Sequence, residues 1–133
     1  MRKIELITIV VAFWVTGCAP KIALQKSEYA KYDFGKYPKN YKKIAKNWVN
    51  DTLKDPFSAK YRFKSKPVKG YTRKAPISGG DPDIFGYIVY VEVNAKNSFG
   101  AYVGWKEYTL LIKNGNVITS ITPNSYFDEP WYQ

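Results

Sequence analysis

The sequence predicts an α+β fold, with one amphipathic helix packed on an antiparallel sheet of about four strands. Three observations carry this. Apolar residues recur at spacings of three and four over 40–54, they alternate with polar residues in several later stretches, and an Asn-Gly pair joins two of those stretches. A helix and strands with one apolar face each must bury those faces against one another.

The elements follow in chain order. Met1-Arg2-Lys3 is a basic start, residues 6–15 are apolar, and Val15-Thr16-Gly17-Cys18 closes the run. Ten apolar-rich residues are too short for a bilayer span, which takes about 20, but they suit the apolar core of a signal peptide. This leader resembles that of bacterial lipoprotein precursors. The resemblance implies removal of 1–17, a diacylglycerol thioether on the Cys18 sulfur and a further acyl chain on the new amino group, so that Cys18 anchors the chain in a membrane. Ala19, where aspartate would signal retention, implies the outer membrane, with the domain on the periplasmic side or at the cell surface. Each buried methylene of such chains contributes about 0.8 kcal/mol, so two or three chains hold stably.

Residues 18–37 are expected to form the acylated terminus and a flexible tether. Lys21, Lys26, Lys31 and Lys36 interleave there with Tyr29, Tyr32 and Tyr37 without sustained period. A tether of about 20 residues would reach at most about 70 Å. Residues 38–133 form the small domain. The helix follows over 40–54, with Tyr41, Ile44, Ala45, Trp48, Val49 and Leu53 on its apolar face and Lys42, Lys43 and Lys46 on the other, and Pro56 beyond its end. Lysines at a helix N-terminus oppose its dipole, so packing must hold this helix.

Ala59, Tyr61 and Phe63 then alternate with Lys60, Arg62 and Lys64, giving a strand with one basic face. Residues 65–83 are rich in Pro and Gly and read as an irregular loop, with a short extension at 68–72. The longest strand covers 84–95, with Phe85, Tyr87, Val89, Val91, Val93 and Ala95 on one side. Strands 105–113 and 117–122 form a hairpin about Asn114-Gly115, where both positions need positive φ. A two-residue turn pairs Ile112 with Val117, Leu110 with Thr119 and Tyr108 with Ile121, which matches apolar sets on one face and leaves the outer face partly open to solvent. The tail, Tyr126-Phe127-Asp128-Glu129-Pro130-Trp131-Tyr132, is too aromatic for a frayed end and is expected to dock on a sheet edge or core.

Composition narrows function. Without residues 1–17 the chain has 116 residues with 19 Lys/Arg against 10 Asp/Glu, a formal charge of +9. It has no histidine and one cysteine, which lipidation consumes, so histidine triads, Cys/His zinc sites and disulfides are excluded. Phosphate-loop and dinucleotide fingerprints are missing too. Asp81 and Asp83 fall short of the six to eight oxygens that Ca²⁺ takes, and Ser98 with Lys96 sits in a turn-like run rather than a catalytic dyad. The chain is therefore read as non-enzymatic, with no cofactor and no metal.

Two segments are poorly explained by packing, Asp55-Pro56-Phe57-Ser58-Ala59-Lys60-Tyr61 and the run from Val93 through Asn94-Ala95-Lys96-Asn97-Ser98-Phe99-Gly100-Ala101-Tyr102-Val103-Gly104 to Trp105. Together they resemble a pattern, DPxSAxY followed by VNAKNSFGxYxG, of small bacterial envelope proteins and lipoproteins. In the second, Asn94 and Asn97 can bond their own backbone and Gly100 and Gly104 permit positive φ. A structured crossover is expected, with Phe99, Tyr102 and Trp105 either plugging the core or displayed.

Lys42, Lys43 and Lys46, together with Lys96, Phe99, Tyr102 and Trp105, are the candidate binding residues. The expected partners are the membrane, through the anchor, and an envelope protein that this chain docks as a binding or scaffold module. An anionic envelope polymer, peptidoglycan or lipopolysaccharide, is the alternative. Inhibition of a wall-degrading enzyme through the loop 74–83 is a further one. Nucleic acid is not expected at that address, and no oligomeric state follows from the sequence.

Overall fold

The computed structural model describes residues 24–72 and 84–123, and the backbone of 131–132. Cys18, Asp81, Asp83, the loop 74–83 and the tail residues 126–130 lie outside the described residues. Within them the fold is α+β, as expected. The helix α1 (Tyr41–Asn50) packs on an antiparallel sheet of β1 (Lys60–Phe63), β2 (Val68–Thr72), β3 (Ile84–Asn94), β4 (Lys106–Lys113), β5 (Asn116–Ile121) and the two-residue β6 (Trp131–Tyr132).

The sheet has six strands rather than four because the extension at 68–72 is a full strand and the tail adds another. The order is β5-β4-β3-β2-β6, and β1 also pairs β3. Strands β1 and β2 lie end to end along one edge of β3. Phe63 pairs Val91 and Val68 pairs Ile88, so four residues on one side span two on the other. β6 pairs Tyr132 with Tyr71 and Trp131 with Thr72, so this part of the tail does dock on a sheet edge.

One face of β3 carries two cores. Val89, Val91 and Val93 pack with Leu110 and Ile112 under Ala45 and Val49 of α1. Further toward the start of the strand, Tyr87 and the half-buried Phe85 pack with Tyr71, Tyr29 and Phe34. Fully burying a side chain such as Val or Leu contributes about 1.5–3 kcal/mol.

The second core corrects the tether. Residues 24–37 were expected to run free, yet Lys26–Lys31 form a 3₁₀ turn, Phe34 is only 3% exposed, and the Leu24 N–H donates to the Tyr71 hydroxyl at 2.7 Å. The segment then crosses to the hairpin turn. Lys113 Nζ lies 3.3 Å from Asp33 Oδ2, and the Lys36 N–H donates to Asn114 Oδ1 at 3.2 Å. A period was missing because the segment has almost no regular structure, while its aromatic residues are paired with rings far off in sequence: Tyr32 stacks on Phe85 at 4.3 Å and Tyr29 meets Tyr71 edge-on at 6.3 Å.

Two smaller expectations are also corrected. The helix ends at Asn50 and not at 54, because the Thr52 hydroxyl and N–H both donate to the Val49 carbonyl and tighten the chain into a 3₁₀-like turn. Leu53 still reaches the core. In the hairpin, Asn114 and Gly115 have φ of 50° and 83°, and Ile112 pairs Val117 as expected. Beyond that a bulge at Ile118 shifts the register, so Leu111 pairs Thr119, Leu110 pairs Ser120 and Thr109 pairs Ile121. The extra residue on this edge strand is left exposed. The face away from α1 is partly open to solvent, as expected. Arg62, Lys64 and Glu107 are exposed there, but Ile88 and Leu111 are fully buried. Leu111 lies over Gly86, where an added Cβ would come within 2.7 Å of the Ile112 carbonyl oxygen.

Candidate functional site

Between the end of β3 and the start of β4 the chain makes an excursion over 95–105, which its own side chains hold in shape. Asn97 Oδ1 accepts the N–H groups of Phe99 (2.9 Å) and Ala101 (3.1 Å), and Asn94 Oδ1 accepts that of Gly104 (3.1 Å). The backbone closes across this turn through Asn97 N–H to the Ala101 carbonyl (2.9 Å) and Val103 N–H to that of Ala95 (3.3 Å). Gly100 and Gly104 have φ of 80° and 93°, which a side chain would strain.

The two motif segments meet. Asp55 Oδ1 accepts the Ser58 N–H at 3.3 Å and caps the 3₁₀ turn Pro56–Ser58, and Pro56 stands at its first position. The Ser58 hydroxyl donates to the Asp55 carbonyl and accepts the Lys96 N–H at 2.9 Å, while the Tyr102 hydroxyl donates to the Ser58 carbonyl at 3.1 Å. Ser58 is thereby a structural tie between segments 38 residues apart. Its hydroxyl proton and one of its lone pairs are engaged in these two bonds.

What this frame presents is apolar. Phe57 is 102% exposed and Phe99 94%, and Tyr102, Val103 and Trp105 are exposed as well. Cations lie over two of the rings. The Arg62 guanidinium is 3.7 Å from the centre of the Trp105 ring, and Lys60 and Lys96 Nζ are 4.5 and 5.5 Å from that of Tyr102. Each such contact contributes about 0.5–1 kcal/mol at an exposed site. Beside the loop is a hollow of about 210 Å³ with Lys54, Lys96 and Lys106 on its walls.

The candidate residues thus divide. Lys96, Phe99, Tyr102 and Trp105 come together, and the aromatic residues are displayed rather than plugging the core. Lys42, Lys43 and Lys46 belong to another surface, on α1, where Lys42 and Lys46 Nζ lie 5.8 and 5.4 Å from the ring centres of Phe63 and Tyr61. Those two lysines cover the edge of the core with their stems. Tyr61 also donates its hydroxyl to Asn50 Oδ1, and burial, with Tyr108 beside it, raises its pKa. Sequence reasoning passed over Phe57. The signal available was a large apolar residue at the variable position of DPxSAxY.

Next to the loop, Glu92 and Glu107 face one another across β3 and β4, and Lys64 Nζ bridges them at 3.1 and 2.9 Å. The hydrogen bonds to Glu107 and then Glu92 raise the Lys64 pKa. Among the described residues no three His, Cys, Asp or Glu side chains come together as a metal site would require.

Fold and site together define a small α+β domain with a rigid aromatic and cationic loop at one end of its sheet. No protein-family model, curated protein or solved structure matches the chain.

Proposed function

We propose that this chain is a lipid-anchored envelope protein that works without catalysis, as a docking module for a protein partner. The loop end, with Phe57, Phe99, Tyr102 and Trp105, is the docking surface. The observation that carries this reading is the exposure of Phe57 and Phe99 on a frame that hydrogen bonds hold fixed. A side chain that packs nothing in its own domain, presented with little ordering cost on binding, is the kind of anchor that dominates protein interfaces. The anchor itself rests on the resemblance of the leader ending in Val15-Thr16-Gly17-Cys18 to those of lipoprotein precursors, and the outer membrane on Ala19.

The test is photo-crosslinking in cells from a benzoylphenylalanine at position 99, with position 43 on α1 as control. A discrete protein adduct from 99, lost in Phe57→Ala and absent from 43, supports the reading. Crosslinking from 43 alone, together with sedimentation on purified sacculi that is lost when Lys42, Lys43 and Lys46 are reversed, favours the polymer-binding alternative instead. The anchor is tested separately: Cys18→Ser should move the protein from the membrane to the soluble fraction.

A further inference from the structure

We infer that the loop end is turned away from the anchoring bilayer and that it takes an acidic protein segment bearing apolar side chains. This rests on the proposed anchor at Cys18 and deepens the docking reading by assigning the partner's chemistry. Leu24, the first described residue, is pinned to Tyr71 at the start of the sheet, and six residues from Cys18 can reach at most about 21 Å. Tyr71 pairs Phe85 at one end of β3, and the loop leaves the other end after Asn94. Eleven residues of strand separate those ends by about 33 Å. The Leu24 end of the sheet is thus the end tied to an anchored Cys18, and the loop is at the opposite end, one sheet length away.

Charge and shape set the chemistry of what meets it. Lys54, Lys96 and Lys106 line the hollow, Lys60 and Lys96 lie over Tyr102 and Arg62 lies over Trp105, at the end of the sheet where Phe57 and Phe99 are exposed; of the acids there, Asp55 caps the 3₁₀ turn and Glu92 and Glu107 are bridged by Lys64. The hollow has three lysines among otherwise mostly apolar walls, which suits a carboxylate side chain on an apolar segment, while apolar side chains would cover Phe57 and Phe99. A fluid headgroup layer needs no such preformed notch. An acidic polypeptide with aromatic side chains fits both features, and electrostatic attraction to it is confined to within about 8 Å at physiological salt.

Two measurements on the full acylated protein test this. In the first it is held on phosphatidylethanolamine–phosphatidylglycerol vesicles that carry an acceptor dye on the headgroups, and a donor dye is placed at Ser27→Cys or at Ser98→Cys. Energy transfer should be weaker from 98 than from 27. Equal or stronger transfer from 98 would lay the loop on the membrane and overturn the inference in favour of lipid. The second follows binding of a random glutamate–tyrosine copolymer. Phe57→Ala with Phe99→Ala, or Lys96→Glu with Lys106→Glu, should weaken it by about tenfold or more. Lys42→Glu with Lys43→Glu makes the same change in net charge and should leave it within about threefold, as non-contacting surface residues do. Equal losses in the two reversals would mean general attraction to a basic protein, and no binding would exclude an acidic partner; either result overturns the inference. The copolymer arm needs no anchor, so a chain found unacylated at Cys18 fails the anchor reading and the orientation, while the loop's chemistry is still decided on its own.

Discussion

At the Leu24 end of the sheet, Tyr29, Phe34, Tyr71 and Tyr87 are buried against one another, and Phe85 is half-buried among them. At the other end, Phe57, Phe99, Tyr102 and Trp105 face solvent. The residue types are the same and the local sequences are similarly polar, yet one group is a core and the other a surface. What differs is the covering chain. Residues 24–37 fold back over the first group, whereas at the far end the chain spends its hydrogen bonds on fixing the loop's own shape. Aromatic content alone does not separate a core from an exposed surface, but the destination of the nearby polar groups does.

The largest effect should come from emptying the covered end. Phe34→Ala should cost about 3–5 kcal/mol, as truncation of a buried aromatic side chain does, measured by urea unfolding. A loss below about 1 kcal/mol would return residues 24–37 to the status of a tether. Next is the tie between the motif segments. Ser58→Ala removes the acceptor of the Lys96 N–H and should cost about 1–2 kcal/mol, with faster hydrogen exchange at Lys96 and at Ala101. Unchanged exchange would show that the loop holds itself without the 3₁₀ turn.

At the displayed end, Phe57→Ala with Phe99→Ala should change stability by no more than about 0.5 kcal/mol, because neither ring is buried. A larger loss would mean that the two rings support the fold, and the contrast between the ends would collapse.

The smallest effect is in pH. The backbone N–H of Gly35, first, and then Lys113 hold the Asp33 carboxyl below its ordinary 3.8. A lowered folded-state pKa gives stability that is present above the unfolded value and lost as pH falls through the folded one. The Leu24 end should therefore loosen below about pH 4, and Asp33→Asn should flatten that acid limb. Lys64, at the other end, is raised above 10.5, so its contribution is complete below that value and lost only as pH rises through the raised one. Hydrogen exchange resolved by residue across acid and alkaline titrations would show whether the ends respond separately.

Much of this was legible in the sequence. The alternation around Val89, Val91 and Val93 fixed their face, Asn114-Gly115 located the hairpin, and Asn94, Asn97, Gly100 and Gly104 announced a self-bonded crossover. The bulge at Ile118 was not legible, since either register puts apolar residues in contact. Nor was the place of Tyr29 and Phe34, whose partners lie some forty to sixty residues away. Of the candidate residues, Lys96, Phe99, Tyr102 and Trp105 share one short segment and lie together, whereas Lys42, Lys43 and Lys46 lie on α1, where the stems of Lys42 and Lys46 cover aromatic rings of β1, a contact that no local pattern shows.

The sequence by itself determined the elements and the internal shape of the loop, because turns, caps and alternation depend on bonds between near neighbours. Only the tertiary structure decided which aromatic residues are covered and which are offered. Burial depends on chain arriving from elsewhere, here Leu24 on Tyr71 and Ser58 on Lys96, and no local pattern records that arrival.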